Sequence, residues 1–201
     1  MERRLALVTW ASAGIGAAFA RILAGHGYDL ALTARRADRL EKLAEEISLR
    51  YGVETLTVAA DLADPEAPGH ILDYLTAHGR AVDALINNAG YGLGGSYADT
   101  RWEEQKAFIQ VMMTAPAELA HRVLPGMMRR RFGRIVNVAA LAGLVPGSAG
   151  HTLYGATKAF LIKFSQSLHL EAVSQGVHVT ALCPGFTYSE FHDVNGTRDQ
   201  I

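Results

Sequence analysis

The chain has 201 residues, of which 49% are hydrophobic and 19% are charged, and its formal net charge at pH 7 is −1. This length and composition indicate one globular domain with a large core, and they exclude a disordered chain. The near-zero net charge excludes strong electrostatic attraction to nucleic acid or to an anionic membrane, and a single cysteine, Cys183, excludes internal disulfides.

Short apolar runs alternate with longer amphipathic segments along the whole chain. The apolar runs predict strands at 5–9, 29–33, 54–59, 84–86, 134–138 and 178–182. The amphipathic segments predict helices at about 14–26, 37–50, 65–79, 101–131 and 153–175. Pro116 lies inside the fourth of these helices, so we expect a kink or a break there. Strands separated by helices predict a Rossmann-like α/β fold, a doubly wound parallel sheet in one domain over 1–201.

The start of the chain admits two interpretations. Charged residues at 2–4 followed by the apolar run 5–13 resemble a secretory signal with a small-residue cleavage site. The run is short, however, and cleavage after Ala13 would remove the first predicted strand. We therefore expect a cytoplasmic protein. No stretch approaches the ~20 apolar residues that a membrane-spanning helix needs.

A glycine-containing turn, TWASAGIG at 9–16, joins the first predicted strand to the first predicted helix. Glycines at such a turn let the backbone approach a pyrophosphate, and the helix N-terminus supplies N–H groups for it. We therefore predict that Ser12, Gly14, Ile15 and Gly16 bind a dinucleotide. The alternative is that the glycines serve only tight packing.

Two arginines, Arg35 and Arg36, follow the second predicted strand. NAD-binding folds often place an acid here to hold the ribose 2′-hydroxyl, whereas an arginine accommodates a 2′-phosphate. The sequence therefore favours NADP(H) over NAD(H), with Arg35 as the candidate contact. A solvated pair of arginines at a helix start is the alternative. Asp61 and Leu62 follow the third strand and would lie near the adenine.

Asparagines 87 and 88, with Ala89 and Gly90, follow the fourth predicted strand. Asparagine side chains at this point can tie neighbouring strand ends together. The small residues that follow leave room for a flat ring. These residues are therefore candidates for the cofactor side of a site at the carboxyl ends of the strands.

Tyr154 and Lys158 are four residues apart in the last predicted helix, so they lie on the same helix face. A nearby cation favours the phenolate and lowers the pKa of a tyrosine towards the range of a general acid or base. We therefore predict that Tyr154 transfers a proton. A solvated Tyr/Lys pair on an amphipathic helix is the alternative.

The order of these segments resembles the short-chain dehydrogenase/reductase family. The resemblance rests on the glycine turn, the arginine after the second strand, NNAG at 87–90, YxxxK at 154–158 and Pro184-Gly185, and it covers essentially the whole chain. It implies an NADP(H)-dependent oxidoreductase in which Tyr154 exchanges the proton and Lys158 holds the nicotinamide ribose. The other implied cofactor contacts are Asn88, Ala89, Gly90, Val111, Pro184, Gly185 and Thr187.

Three residues depart from the family pattern. Trp10 replaces the first glycine of the turn, where backbone normally comes close to the cofactor. Ala140 stands at the carbonyl-polarising serine, and losing one such donor costs ~10²–10³ in rate. Met112 replaces an asparagine that is thought to hold a water for proton relay. Candidate surrogates are Ser148, His121 and His151. None of the eight histidines forms a metal-ligand pattern.

The chain ends at Ile201, whereas family members continue with a further helix and a seventh strand. The resemblance therefore implies a C-terminally truncated domain whose sixth strand is unpaired on one side. It also makes a homodimer or homotetramer through 101–131 and 153–175 plausible, although sheet packing would explain the apolar faces of these helices equally well.

Three hypotheses about function follow. The first is an oxidoreductase that transfers a hydride between NADP(H) and a small carbonyl or alcohol substrate, with catalysis impaired at Ala140 and Met112. The second is a non-catalytic scaffold that binds a nucleotide or a partner. The third is a truncated product that folds poorly. We favour the first hypothesis, and NADPH titration is the experiment that separates the three.

Overall fold

Six parallel strands form one sheet in the structure, which is a computed structural model that describes residues 3–185. The strands are β1 (Leu5–Thr9), β2 (Asp29–Ala34), β3 (Thr55–Ala59), β4 (Val82–Asn87), β5 (Gly133–Val138) and β6 (Val177–Leu182). Their spatial order is β3-β2-β1-β4-β5-β6, and every neighbouring pair is parallel. The order reverses between β1 and β4, where ligands bind in doubly wound sheets. The predicted fold class is confirmed.

Six α-helices connect the strands and cover both faces of the sheet. They are α1 (Gly14–Gly25), α2 (Ala37–Tyr51), α3 (Ala67–Ala77), α4 (Trp102–Ile109), α5 (Ala115–Arg129) and α6 (Thr152–Ala172). Short 3₁₀ turns occupy Leu141–Gly143 and Val173–Gln175. Among residues 3–185, no helix is both long enough and apolar enough to cross a membrane.

The break expected at Pro116 is a π-helical turn, Gln110–Thr114, that joins α4 to α5. Pro116 lies in the first turn of α5. Because proline has no N–H for the carbonyl of residue 112, one α-helical hydrogen bond is missing at this point. The π-helical turn lets the chain continue from α4 into α5 without an intervening loop.

The strands are buried on both faces, which explains their nearly unbroken apolar sequence. Alternate residues of β1 show this directly, because successive side chains of a strand point to opposite sides. Leu7 packs in a core with α3 and α5, whereas Val8 packs in a core with α1 and α2. The run 5–9 that resembles part of a secretory signal is therefore a central strand of the sheet.

A buried arginine holds the amino ends of the strands together. Arg80 donates hydrogen bonds to Asp29 Oδ2 (2.9 Å) and to the carbonyl oxygen of Arg3 (3.1 Å), and it also pairs with Glu54. Arg80 and Asp29 are both almost fully buried. These contacts link the chain just before β1 to the starts of β2 and β3, at the edge of the sheet opposite the crevice.

Predictions that concern residues 186–201 lie outside the described residues. They include Thr187 as a cofactor contact and the absence of a seventh strand. Within 3–185, β6 pairs with β5 on one side and lies at the edge of the sheet.

Candidate active site

The turn after β1 is tied to the end of β4 by hydrogen bonds. Thr9 Oγ1 accepts bonds from the main-chain N–H groups of Asn88 (2.9 Å) and Ala89 (3.0 Å). The Asn88 side chain donates from Nδ2 to the carbonyl oxygens of Thr9 (3.1 Å) and Trp10 (3.3 Å). The predicted tie between the two strand ends is therefore present, and it fixes the floor of the crevice.

Two glycines shape the start of α1 for different reasons. Gly14 adopts φ +55°, a conformation that favours glycine. A Cβ on Gly16 would overlap the carbonyl oxygen of Trp10 and would lie 2.6 Å from Asn88 Nδ2. The tight-packing interpretation thus holds for Gly16, and it is compatible with a role at a pyrophosphate.

The first turn of α1 presents N–H groups to the crevice side of the sheet. Its N-cap residue, Ala13, makes no side-chain hydrogen bond to those groups. The positive end of the helix dipole is therefore open to an anion. Ser12 and Ile15 are half-buried in the same turn, and Arg36 Nη2 lies 3.5 Å from Ser12 Oγ.

Arg35, which follows β2, lies beside the turn and between two groups. Its Nη1 is 4.0 Å from Asp61 Oδ2, and both side chains are largely exposed. Its guanidinium carbon lies 5.7 Å from the centre of the Trp10 ring. Exposed ion pairs contribute little to stability, so an arriving anionic group can compete for Arg35 at small cost.

Two of the other residues predicted to contact the cofactor do not point a side chain into the crevice. Leu62 and Val111 have buried side chains that pack in the core with α3 and α5, so only their main chain could reach a ligand. The carbonyl oxygen of Pro184 accepts a hydrogen bond (3.0 Å) from the main chain of the loop after β5, and Gly185 is exposed. Their roles stay predictions.

Lys158 is buried at the carboxyl end of β5 and points towards the same crevice. Its Nζ donates a hydrogen bond to the carbonyl oxygen of Val138 (2.8 Å) and lies 5.7 Å from the centre of the Tyr154 ring. A Cβ on Gly90 would lie 3.3 Å from this Nζ, so Gly90 borders the ammonium group. Gly143 lets the 3₁₀ turn after β5 pack directly on the backbone of Lys158.

The pKa values at this pair differ from the sequence-based prediction. Burial lowers the pKa of Lys158 from 10.5 to about 8, and the nearby Cys183 thiol opposes this shift. Burial also raises the pKa of Tyr154 above its usual range. The expectation that the lysine lowers the tyrosine pKa is therefore wrong here, because desolvation of the phenolate outweighs an ammonium group 5.7 Å from the ring centre. A tyrosine of this kind keeps its proton at neutral pH.

The position predicted to polarise the substrate carbonyl carries no donor. Ala140 lies two residues after the end of β5, and its methyl group is buried. The adjacent 3₁₀ turn contacts the first turns of α6, since a Cβ on Gly155 would lie 3.2 Å from the carbonyl oxygen of Ala142. Position 140 therefore lies at the site. The proposed surrogate, Ser148, is exposed in the loop that follows.

The two histidines suggested as substitutes for the asparagine that Met112 replaces, His121 and His151, lie in different parts of the structure. Met112 fills apolar volume as expected, since it is buried and its Sδ would lie 3.3 Å from a Cβ on Gly90. His121 lines a surface groove between α3 and α5, so it is not placed at the site. His151 directly precedes α6, and its Cε1 would lie 3.8 Å from a Cβ on Gly94 in the loop after β4.

Asn87 also ties strand ends together, as predicted, but its partners in a buried hydrogen-bond network, Asn137 and Ser165, were missed from the sequence. Asn87 Nδ2 donates to Asn137 Oδ1 (2.8 Å) and to the carbonyl oxygen of Pro116 (3.1 Å). Asn137 Nδ2 donates in turn to Ser165 Oγ (2.9 Å). These bonds connect β4, β5, α5 and α6, the helix that carries Tyr154 and Lys158. An asparagine inside the apolar run RIVNV was the available signal, since buried polar groups require partners.

Within residues 3–185, no group of three His, Cys, Asp or Glu side chains is placed to hold a metal ion.

The chain matches the family model of short chain dehydrogenases over residues 4–199. It therefore belongs to the short-chain dehydrogenase family, as the order of its motifs predicts. Sulfoacetaldehyde reductase 2 of Chromohalobacter salexigens is 36% identical over 198 residues, which are 98% of this chain and 77% of that protein.

Two solved structures with bound NADPH resemble the fold closely. A short-chain dehydrogenase from Sphingobium yanoikuyae in complex with NADPH has a TM-score of 0.90 and 36% identity, covering 96% of this chain and 75% of that one. L-Sorbose reductase from Gluconobacter frateurii, complexed with NADPH and L-sorbose, has a TM-score of 0.87 and 29% identity, covering 100% and 79%. These likenesses extend over the whole described sheet.

Proposed function

We propose that the protein transfers a hydride between NADP(H) and a small carbonyl or alcohol substrate, and that its turnover is slow. The observation that carries the proposal is the buried Lys158, held at 2.8 Å by Val138 at the end of β5 and one helical turn from Tyr154. A lysine is rarely buried without a functional or structural partner. Here it borders Gly90, in the crevice where the strand order reverses.

The residues at the two ends of the crevice fit NADP(H). Arg35 and Arg36 provide positive charge beside Ser12 for a 2′-phosphate, and the open first turn of α1 suits the pyrophosphate. Lys158 would hold the nicotinamide ribose. NADP(H) supplies the hydride when it is bound. NADPH is present in both of the solved relatives described above, which supports NADP(H) over NAD(H).

Tyr154 is suited to donate a proton to a carbonyl oxygen. A tyrosine phenol is protonated at neutral pH, and burial raises the pKa of Tyr154 further, so the group is more readily a proton donor to a carbonyl than a base towards an alcohol. The ammonium group of Lys158 would stabilise negative charge that develops near the phenol. Without a hydroxyl at position 140, the substrate oxygen has one donor fewer, which predicts a rate loss of ~10²–10³.

The test is NADPH oxidation with a panel of small carbonyl compounds. Tyr154→Phe should abolish turnover, whereas Tyr74→Phe, on the distant helix α3, should leave it unchanged. Ala140→Ser should raise kcat by roughly tenfold or more, since one donor is worth ~10²–10³ when ideally placed. Unchanged turnover in Tyr154→Phe would show that the phenol is not the proton donor.

A non-catalytic nucleotide-binding scaffold is the second candidate. The observation that favours it is that Ala140 and Met112, both buried at the site, have no group that donates a proton or a hydrogen bond to the substrate. This candidate predicts that NADPH binds and raises the melting temperature, without turnover even after Ala140→Ser. A cytoplasmic location and a homodimer or homotetramer stay predictions.

A further inference from the structure

Trp10 adopts a backbone conformation that is unusual for a bulky residue. Its φ is +49°, in the left-handed region, which a tryptophan enters only when its surroundings impose it. The surroundings here are the Asn88 bond to its carbonyl oxygen and the close approach of Gly16 to the same oxygen. The turn therefore fixes the direction in which the indole leaves the backbone.

The indole lies across the crevice, between groups that follow two different strands. On one side the Arg35 guanidinium, after β2, is 5.7 Å from the ring centre. On the other side Tyr91, after β4, stacks on the indole with a centroid distance of 6.1 Å and an angle of 17°. Tyr91 is itself packed edge-on against the fully buried Phe108 at 5.1 Å. The ring is thus held from both sides, above the end of β1.

A dinucleotide in this site has to pass the same place. β1 lies between β2 and β4 in the sheet, so a ligand with its 2′-phosphate at Arg35 and its nicotinamide beside Lys158 must cross the end of β1. The indole contacts Arg35 and Tyr91, which follow the two strands on either side of β1, and this places it on that line. A glycine at position 10 would leave it open.

We propose that Trp10 is a gate residue: its indole must leave Arg35 and Tyr91 before a dinucleotide can span the crevice. This inference rests on the proposed function, because it assumes that the crevice binds NADP(H). In this scheme the 2′-phosphate competes for Arg35 with both the indole and the Asp61 carboxylate. Binding of the phosphate draws the guanidinium away from the ring, so recognition of the 2′-phosphate and opening of the gate are coupled.

Calorimetric titration with two ligands distinguishes an effect of Trp10 on passage across the end of β1 from an effect on 2′-phosphate binding at Arg35. Adenosine 2′,5′-bisphosphate fills the Arg35 side alone, whereas NADPH must cross the end of β1. Trp10→Gly should tighten NADPH binding by roughly tenfold or more, since one stacked ring and one cation–π contact no longer have to be broken. The affinity for adenosine 2′,5′-bisphosphate should rise by about fivefold at most, because this ligand has to break only the contact between Arg35 and the indole and not the stacking on Tyr91.

Fluorescence gives a second readout that does not depend on activity. The chain has two tryptophans, and Trp102 is 59% exposed on α4. Trp102→Phe leaves Trp10 as the only indole and should not change the affinity for NADPH. NADP⁺ added to this variant should shift the Trp10 emission to longer wavelength, because the ring leaves Tyr91 for solvent. Adenosine 2′,5′-bisphosphate should give a smaller shift.

The outcomes distinguish failure of the gate from failure of the proposed function. Equal NADPH affinity in the wild type and in Trp10→Gly, or weaker binding in Trp10→Gly, would overturn the gate while leaving the cofactor assignment intact. Absence of NADPH binding in both would overturn the proposed function and the gate with it. If Trp10→Gly does not fold, Tyr91→Leu removes the ring that stacks on the indole while keeping an apolar side chain against Phe108, and it should tighten NADPH binding in the same direction. Unchanged or weaker binding there would overturn the gate.

Discussion

Replacing Lys158 with methionine should slow the proposed proton transfer from Tyr154 and yet stabilise the folded protein. The ammonium group is almost fully buried, and the hydrogen bond described for it is the one to the carbonyl oxygen of Val138. Its pKa is lowered from 10.5 to about 8, mainly by burial, so the fold disfavours its charged form. Methionine has a similar length and fills the same space without a charge.

The size of the effect follows from the pKa. A difference of one pKa unit between folded and unfolded states is worth ~1.4 kcal/mol, so the charge on Lys158 destabilises the fold by about 3 kcal/mol at pH 7. Below pH 8 both states are protonated and the full penalty is present. Between pH 8 and 10.5 the folded state loses the proton first, so the wild type becomes more stable as pH rises. At pH 10 about 1 kcal/mol of the penalty remains.

Losing the bond to Val138 offsets part of the gain, by about 1 kcal/mol at any pH. Lys158→Met should therefore raise the free energy of unfolding by about 2 kcal/mol at pH 7 and leave it nearly unchanged at pH 10. Tyr154, whose raised pKa is shared by both proteins, does not affect this difference. Urea titrations at several pH values between 7 and 10 measure it.

Lys163→Met is the matched control on the same helix. Lys163 is exposed, and its Nζ is 3.2 Å from Gln166 Oε1, so its removal should change stability by less than about 0.5 kcal/mol with no pH dependence. A difference between wild type and Lys158→Met that stays constant from pH 7 to 10 would refute the reasoning, because it would mean that Lys158 titrates alike in both states.

Two further substitutions test the fold around the site. Arg80→Met should lower the free energy of unfolding by about 3 kcal/mol in urea titrations, because it removes the hydrogen-bonded guanidinium from the buried Asp29 carboxylate and leaves the half-exposed Arg3 Nη1, 3.9 Å away, as the remaining cation beside it. Arg122→Met, which breaks an exposed pair, should cost under about 1 kcal/mol, and equal losses would contradict the importance of burial. Gly16→Ala should cost about 2 kcal/mol and weaken NADPH binding, because the new methyl group overlaps the turn after β1. Gly147→Ala, with open space around it, should be neutral, and a thermal melt of Gly16→Ala that matches this control would disprove the overlap.

The strands and the position of the site were accessible from the sequence. Apolar runs as long as a strand, each followed by an amphipathic segment, leave few arrangements other than a doubly wound sheet. The carboxyl ends of its strands then collect whatever polar residues follow them. Asn88 and the glycine turn were placed together for this reason, and the structure shows the bonds between them.

The electrostatics of the site were not accessible in the same way. The spacing of Tyr154 and Lys158 fixes a shared helix face, but it does not fix the distance between the charged groups or their exposure to water. Both are set by β5, Gly90 and the 3₁₀ turn that pack over the pair. The direction of the tyrosine pKa therefore depends on tertiary burial, and the sequence-based prediction had the wrong sign.

Side-chain direction at strand ends was also inaccessible. Leu62 follows β3 at a position where a cofactor contact is reasonable, yet its side chain turns into the core. His121 and His151 had equal standing as surrogates in the sequence, and only the course of α5 separates them. Periodicity predicts which elements meet, whereas individual contacts depend on local backbone geometry.

The buried Arg80 clamp has a consequence for how this protein can change. It holds β1, β2 and β3 at their amino ends, and a strand of five residues places those ends roughly 16 Å from the crevice. Substitutions that far apart act nearly independently. Residues around Tyr154 can thus be exchanged while the Arg80 contacts at the opposite edge of the sheet stay unchanged. Active-site substitutions intended to change the reaction can therefore be tested in this protein with little loss of stability.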